Sequence, residues 1–316
     1  MPRERAIGLV IVALYAVLAV TAPAFFTREN FADLFLGNFP VLLVAMGTTL
    51  VILTGEIDIS VGSVFAICGV LAGASAVAGL PLPMVAVIAC VVGALFGALN
   101  GALVAYAGLP SIVVTLASMV VLRDGLRWAT QGAWIQDLPQ TFQWLGMAQS
   151  AFPIVAAALV TAMQVALSWS ATRVAAFRAV YATGSDPQAA RLAGIDTQLV
   201  KFVAFAAGGA FTGLAALLNA VRFNQIPSNA GLGLEMKVIA AVVVGGAAVR
   251  GGRGSFAGTL LGVVLLSSVG PALVFLGVTS YWERAIQGLI VLAAVAVDAW
   301  STRKPIVASR RAAGMS

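Results

Sequence analysis

The chain has 316 residues, 61% of them hydrophobic and 9% charged, with a net charge of +6, two cysteines and no histidine. Ordinary soluble domains are about 25% charged, so this composition excludes a water-soluble protein. Apolar runs near 20 residues recur from end to end, the pattern of an all-α polytopic membrane protein. Without histidine there is no His-based triad, HExxH zinc site or imidazole relay. The basic excess lies in loops and tails, where it orients a membrane protein and gives no sign of nucleic-acid binding.

About ten transmembrane helices are predicted in a single domain, at 6–24, 39–54, 61–79, 84–106, 111–123, 152–169, 202–221, 234–249, 256–278 and 285–300. The first begins with a basic stretch and has small residues near Ala22 and Ala24, as a signal peptide does. More apolar runs follow at once, so it reads as a retained helix. The fifth is short, interrupted by Arg123, Asp124 and Arg127. Cys68 and Cys90 sit inside spans with no CxxC spacing and read as small buried hydrophobes.

Cytoplasmic termini place twelve of the eighteen Lys and Arg residues inside: Arg3, Arg5, Arg173, Arg178, Arg191, Lys201, Arg250, Arg253, Arg303, Lys304, Arg310 and Arg311. Arg28, Arg123, Arg127, Arg222, Lys237 and Arg284 fall outside. The positive-inside rule therefore puts segment 170–201 and the basic tail 302–316 in the cytoplasm, and 124–151 outside. Glycines four apart in "GALFGALNG" (93–101) and "GSFAGTLLG" (254–262) match at an offset of 161. Spans 2–5 and 7–10 are thus expected to be inverted copies, although small-xxx-small spacing also serves ordinary helix packing.

The stretch "LTGEIDISVGS" (53–63) places Glu56 and Asp58 between the second and third spans. An acid at a bilayer centre costs roughly 3 kcal/mol on insertion scales. One reading is structural: Asp58 or Ser60 caps the third helix, and Gly55 and Gly62 supply the turn. The other is a broken helix lining a solute path. Glu235, in "LGLEMK" at the start of the eighth span, echoes it there, which places Asp58 and Glu235 near the path on opposite sides of the membrane. Thr48, Thr49, Thr54, Ser60, Ser63, Asn100 and Thr115 are path candidates or helix-packing polar groups.

Within 170–201, "SDPQAARLAG" follows the grammar of a short helix. Asp186 suits the N-cap, Pro187 the first position and Gly194 a left-handed stop, with Asp196 or Thr197 capping the next helix. Two turns carrying Ala190, Arg191 and Leu192 are too short to stand alone. They need a surface, either the bundle's underside or a cytoplasmic partner. On the other side, Trp128, Trp134 and Trp144 beside Arg127 are interfacial anchors or a docking surface. Arg127, Trp134 and Arg222 are the docking candidates.

These stretches carry a resemblance. "LTGEIDISVGS", "GLPSIVVTLASM" (108–119), "GAWIQDLP" (132–139), "IPSNAGLGLEMKVIAA" (226–241) and "VVVGGAAVRGGRGSFAGTLLG" (242–262) occur in the order seen in ABC-importer permeases of the monosaccharide branch, the ribose, rhamnose and autoinducer-2 types. The segment 170–201 resembles their coupling loop. The resemblance implies a bacterial inner-membrane permease paired with an identical or related chain. It further implies an ATPase subunit carrying ATP and Mg, a periplasmic sugar-binding protein, and no cofactor bound by this chain. Independently, no GxxxxGK[ST] phosphate loop is present. The rival reading is an ion-coupled secondary transporter using Glu56, Asp58 and Glu235.

Overall fold

The computed structural model describes residues 2–279, 281–283, 285–293 and 296. Eleven α-helices follow in order: α1 (Pro2–Thr21), α2 (Arg28–Leu53), α3 (Val61–Val77), α4 (Leu82–Ala105), α5 (Ser111–Thr130), α6 (Phe152–Arg173), α7 (Ala175–Ser185), α8 (Pro187–Leu192), α9 (Thr197–Ala220), α10 (Leu234–Val244) and α11 (Phe256–Phe275). Residues 285–293 are helical as well. Among the described residues six helices, α1, α2, α4, α6, α9 and α11, are long and apolar enough to cross a bilayer. The rest of the tenth expected span, Arg284 and the tail 302–316 lie outside the described residues.

Several boundaries differ from the sequence expectation. Helix α2 starts at Arg28 rather than 39, because Thr27 caps it by accepting from Asn30 N at 3.3 Å. Its polar first turns hide that start from a hydropathy reading. Helix α5 runs on through Arg123 to Thr130. Helix α9 begins at Thr197, where Asp196 accepts from Gln198 N and Leu199 N at 3.0 Å. Helix α10 stops at Val244, before Gly245 and Gly246. Its 11 residues span about 16 Å, half of a ~30 Å hydrocarbon core.

The core is built around α2, whose apolar window is 83% buried, against 11% for α1 and 22% for α4 and α6. Peripheral helices turn large apolar side chains outward, among them Leu9, Val87, Leu95, Val121, Ile154 and Val165. Such a surface requires lipid. Inside, small residues bring backbones together. Gly93 and Gly97 of α4 lie against the backbones of Gly209 and Phe205 in α9, and Gly47 of α2 meets Gly208. Gly258 and Gly262 instead face Gly245 and Ala241, so the two glycine triplets have different partners. Helix α1 packs on α11 through Leu18, and Tyr15 Oη lies 3.0 Å from Ser268 Oγ.

Two polar ends result. At one, Gly55, α7 and the turn 245–255 interlock: Gly252 N donates to Leu53 O at 2.9 Å and Tyr181 Oη to Gly254 O at 3.0 Å. Ser255 and Glu4 bond there too, which brings the start of α1 to the same end. At the other, the loop 131–151 clasps 221–228. Ile135 and Ile226 exchange backbone bonds of 3.0 and 2.9 Å, and Trp144 N donates to Val221 O at 2.7 Å.

Candidate functional site

The first break follows α2. Gly55 has φ +86°, and its α-carbon side lies against Arg250 O, a turn and a close approach that favour glycine. Beyond it, Glu56 Oε1 accepts from Lys201 Nζ at 2.5 Å, tying the break to the base of α9. Ile57 N donates to Ser111 Oγ and Thr115 Oγ1 donates to Ile57 O, both at 3.3 Å. Asp58 Oδ1 accepts from Ser60 N at 2.8 Å and from Ser60 Oγ at 2.6 Å.

That turn continues into the bundle. Asn100 Nδ2 of α4 donates to Ser60 Oγ at 2.9 Å, and Asn100 Oδ1 accepts from Ser118 Oγ of α5 at 2.5 Å. Asp58, Ser60, Asn100 and Thr115 are all buried. None of them leaves a buried side-chain atom without a partner among the described residues. A satisfied network of this kind is stabilising and rigid. The capping expectation is therefore corrected. Ser60 occupies the N-cap position with helical dihedrals and makes no side-chain cap bond, while Asp58 serves the turn before it. Gly62 belongs to α3 and not to the turn.

The second break precedes α10. The chain leaves α9, pairs at Ile226, turns at Gly231 (φ +75°) and Gly233 (φ +81°), and enters α10 with Glu235 only 6% exposed. Here the breaks meet. A Cβ on Gly62 would strike Glu235 Oε2, lie 2.6 Å from Gly231 O and 3.1 Å from Arg123 Nη2. Gly62 touches Glu235, while Asp58 lies in the irregular segment before α3 that leaves the interlocked end, so the two acids stand on segments that enter from opposite polar ends of the bundle. The N-termini of α3 and α10 converge at Gly62.

Glu235 faces Arg123, the residue that the sequence reading treated only as an interruption of the fifth span. Nη2 and Oε2 are 3.6 Å apart, and both are buried without a hydrogen-bond partner among the described residues. A cation inside an apolar span was the available signal. The three acids do not form one cluster: Lys201 holds Glu56, Ser60 holds Asp58, and Arg123 faces Glu235.

At the interlocked polar end, α8 has the geometry its sequence suggests. Asp186 Oδ1 accepts from Gln188 N at 2.9 Å and Ala189 N at 3.0 Å, and Gly194 takes φ +82°. Ala190 is buried against the protein, Arg191 Nε donates to Thr197 Oγ1 at 2.9 Å, and Leu192 is 91% exposed. The short helix thus uses one side for the bundle and holds an apolar side chain out in solvent.

At the opposite end, Arg127 is open beside Asp124 at 4.0 Å and Trp134 is 47% exposed. Arg222 is not free: its guanidinium donates to Leu36 O and lies over Phe39 and Phe223, at 5.8 and 5.3 Å from the ring centres. Trp144 turns partly inward, edge-on to Phe152 at 5.4 Å.

A bundle of lipid-facing helices, with two connecting segments meeting at Gly62 and a structured polar end, has the build of a multi-pass membrane permease. The family described as "Branched-chain amino acid transport system / permease component" matches residues 30–295, and the chain belongs to it. The autoinducer 2 import system permease protein LsrC of Escherichia coli O9:H4 is 36% identical over 297 residues, 94% of this chain and 86% of that protein. The Photorhabdus luminescens protein of the same name is 33% identical over 94% of this chain and 89% of its own length. That of Yersinia pseudotuberculosis is 35% identical over 94% and 84%. No solved structure matches the chain.

Proposed function

We propose that this chain is the permease subunit of an ATP-driven importer that carries a sugar-like solute across a bacterial inner membrane. The family description speaks of branched-chain amino acids, whereas the relatives are named for autoinducer 2. Relatives covering nine-tenths of the chain at a third identity or more are the closer guide, so autoinducer 2 and monosaccharides such as ribose and rhamnose are the expected cargo. ATP and Mg belong to a separate ATPase subunit, the second permease is identical or related, and a periplasmic binding protein delivers the solute.

One observation carries this reading: α8, capped at Asp186 and stopped at Gly194, presents Leu192 to solvent at the end shared with the 245–255 turn. A six-residue helix is marginal by itself, and an exposed apolar side chain at its end suits a partner groove. Asp186, Pro187, Ala190, Arg191, Leu192 and Gly194 form the ATPase contact in this account, with Ala190 and Arg191 acting from the bundle side. Arg173, Arg178, Arg191, Lys201, Arg250 and Arg253 belong to the segments of this end, which supports its cytoplasmic placement. Arg127 and Trp134 are left as binding-protein contacts at the other.

We further propose ten spans in two inverted copies; the pattern of helix neighbours supports the two copies, whereas the glycine triplets, which pack on different partners, do not. Exchanging α2, α3 and α4 for α9, α10 and α11 turns the pairs α4–α9, α3–α4 and α3–α9 into α11–α2, α10–α11 and α10–α2, all of which pack together. Under that exchange the two broken helices correspond. Tagged protein purified from its native membrane in mild detergent provides the test. Recovery of an ATPase near one-to-one, lost on Leu192→Asp, is the expected result. Recovery of the chain alone in several detergents overturns the reading in favour of an ion-coupled carrier.

A further inference from the structure

At the second break, Arg123 and Glu235 face each other as a buried donor and acceptor without a hydrogen bond. At 3.6 Å the separation exceeds a hydrogen bond, and Nη2 and Oε2 are both shut off from solvent. Buried charges ordinarily need hydrogen bonds as well as an opposite charge to offset their desolvation. The first break meets that requirement, with Asp58 bonded to Ser60 and Glu56 to Lys201. An orphaned donor facing an orphaned acceptor calls for an explanation.

The geometry points to Arg123 and Glu235 as a hydroxyl-recognising subsite of the solute path. This rests on the permease reading and narrows it to a cargo chemistry. A hydroxyl donates one hydrogen bond and accepts two. Placed between these groups, it donates to Glu235 Oε2 and accepts from Arg123 Nη2, satisfying both atoms at once. The two charges cancel, which suits a neutral polyol; an ionic solute has to displace one partner from the other.

The surroundings fit. Gly62 and Gly231 put no side chain between the helix ends, and Phe65, itself buried, gives an apolar wall beside Gly231. The contact of Gly62 with Gly231 closes the subsite in this structure. Parting the N-termini of α3 and α10 opens it, and α10, with 11 residues and glycines at 231, 233, 245 and 246, is the shortest helix of the two breaks.

The test uses the complete importer in proteoliposomes, with ATP inside the appropriate compartment and its binding protein present. Uptake of autoinducer 2, ribose and 2-deoxyribose is compared for the parent, Glu235→Gln and Arg123→Lys. Each variant keeps its side-chain length or its charge. The expected result is a fall of about tenfold in uptake of the better-carried polyol, the scale of one lost charged hydrogen bond, and a collapse of its preference over 2-deoxyribose, with ATPase recovery unchanged. Equal loss for every solute with the preference intact makes the pair a packing element and overturns the subsite. Parental rates and preference in both variants overturn it too, and leave the permease reading standing. If the parent carries none of the three, the sugar-like cargo fails and the subsite with it.

Discussion

The two breaks meet beside Gly62 yet are finished differently. In residues 54–60 the chain interrupts a helix and then ties itself down: Asp58 to Ser60, Ser60 to Asn100, Asn100 to Ser118, Glu56 to Lys201. In residues 221–235 the backbone is clasped by the opposite loop, but the buried charge at its end, Glu235, has only an un-bonded guanidinium opposite it. The difference teaches that an interrupted helix in a membrane need not be a moving or binding part. A satisfied break is a fixed frame, and an unsatisfied one beside it is where a solute or a conformational change can act.

Substitutions at the two breaks separate these roles. The largest effect is expected from Gly62→Val, because a branched side chain has no space between Gly231 O, Arg123 and Glu235. Overpacking against backbone belongs to the severe class, about 4 kcal/mol or more, so little protein should reach the membrane in an immunoblot. Next comes Asp58→Ala, which strips acceptors from the buried N–H and hydroxyl of Ser60. Unsatisfied buried groups cost about 1–3 kcal/mol each, and the melting midpoint in detergent should fall clearly.

Glu56→Gln removes one charge of a mostly buried pair, for about 1 kcal/mol or somewhat more. Reversal as Glu56→Lys with Lys201→Glu should restore much of it, measured by the same melting assay. If the double reversal is worse than either single variant, the pair is not acting through its mutual attraction. Smallest in global terms is Asp186→Ala. Loss of the N-cap costs about 1 kcal/mol, confined to α8, and should appear as faster hydrogen exchange at Gln188 and Ala189 with no change in melting.

How much of this was legible in the sequence depended on chain distance. The α8 device was fully readable, because Asp186, Pro187 and Gly194 are local signals separated by a few residues. Asp58, Ser60, Asn100 and Thr115 were recognisable as polar groups in apolar runs. Their mutual bonding was not, since Ser60 and Asn100 lie 40 residues apart and meet only when α3 packs on α4. Glu56 and Lys201, 145 residues apart, were equally unreadable as a pair. Arg123 is visible in the sequence as a charge that shortens an apolar run, whereas α5 continues through it and brings it opposite Glu235. Arg222 misled in the opposite sense, since nothing local announces that Leu36 and Phe39 will absorb it.

The most direct measurement sets Asp58→Asn beside Glu235→Gln, with uptake and melting recorded for both at matched membrane levels. The account predicts that Asp58→Asn mainly lowers melting and retains transport per folded molecule, whereas Glu235→Gln loses transport per folded molecule beyond anything its own fall in melting explains. Parallel losses in the two variants, or parental uptake by Glu235→Gln, would contradict it.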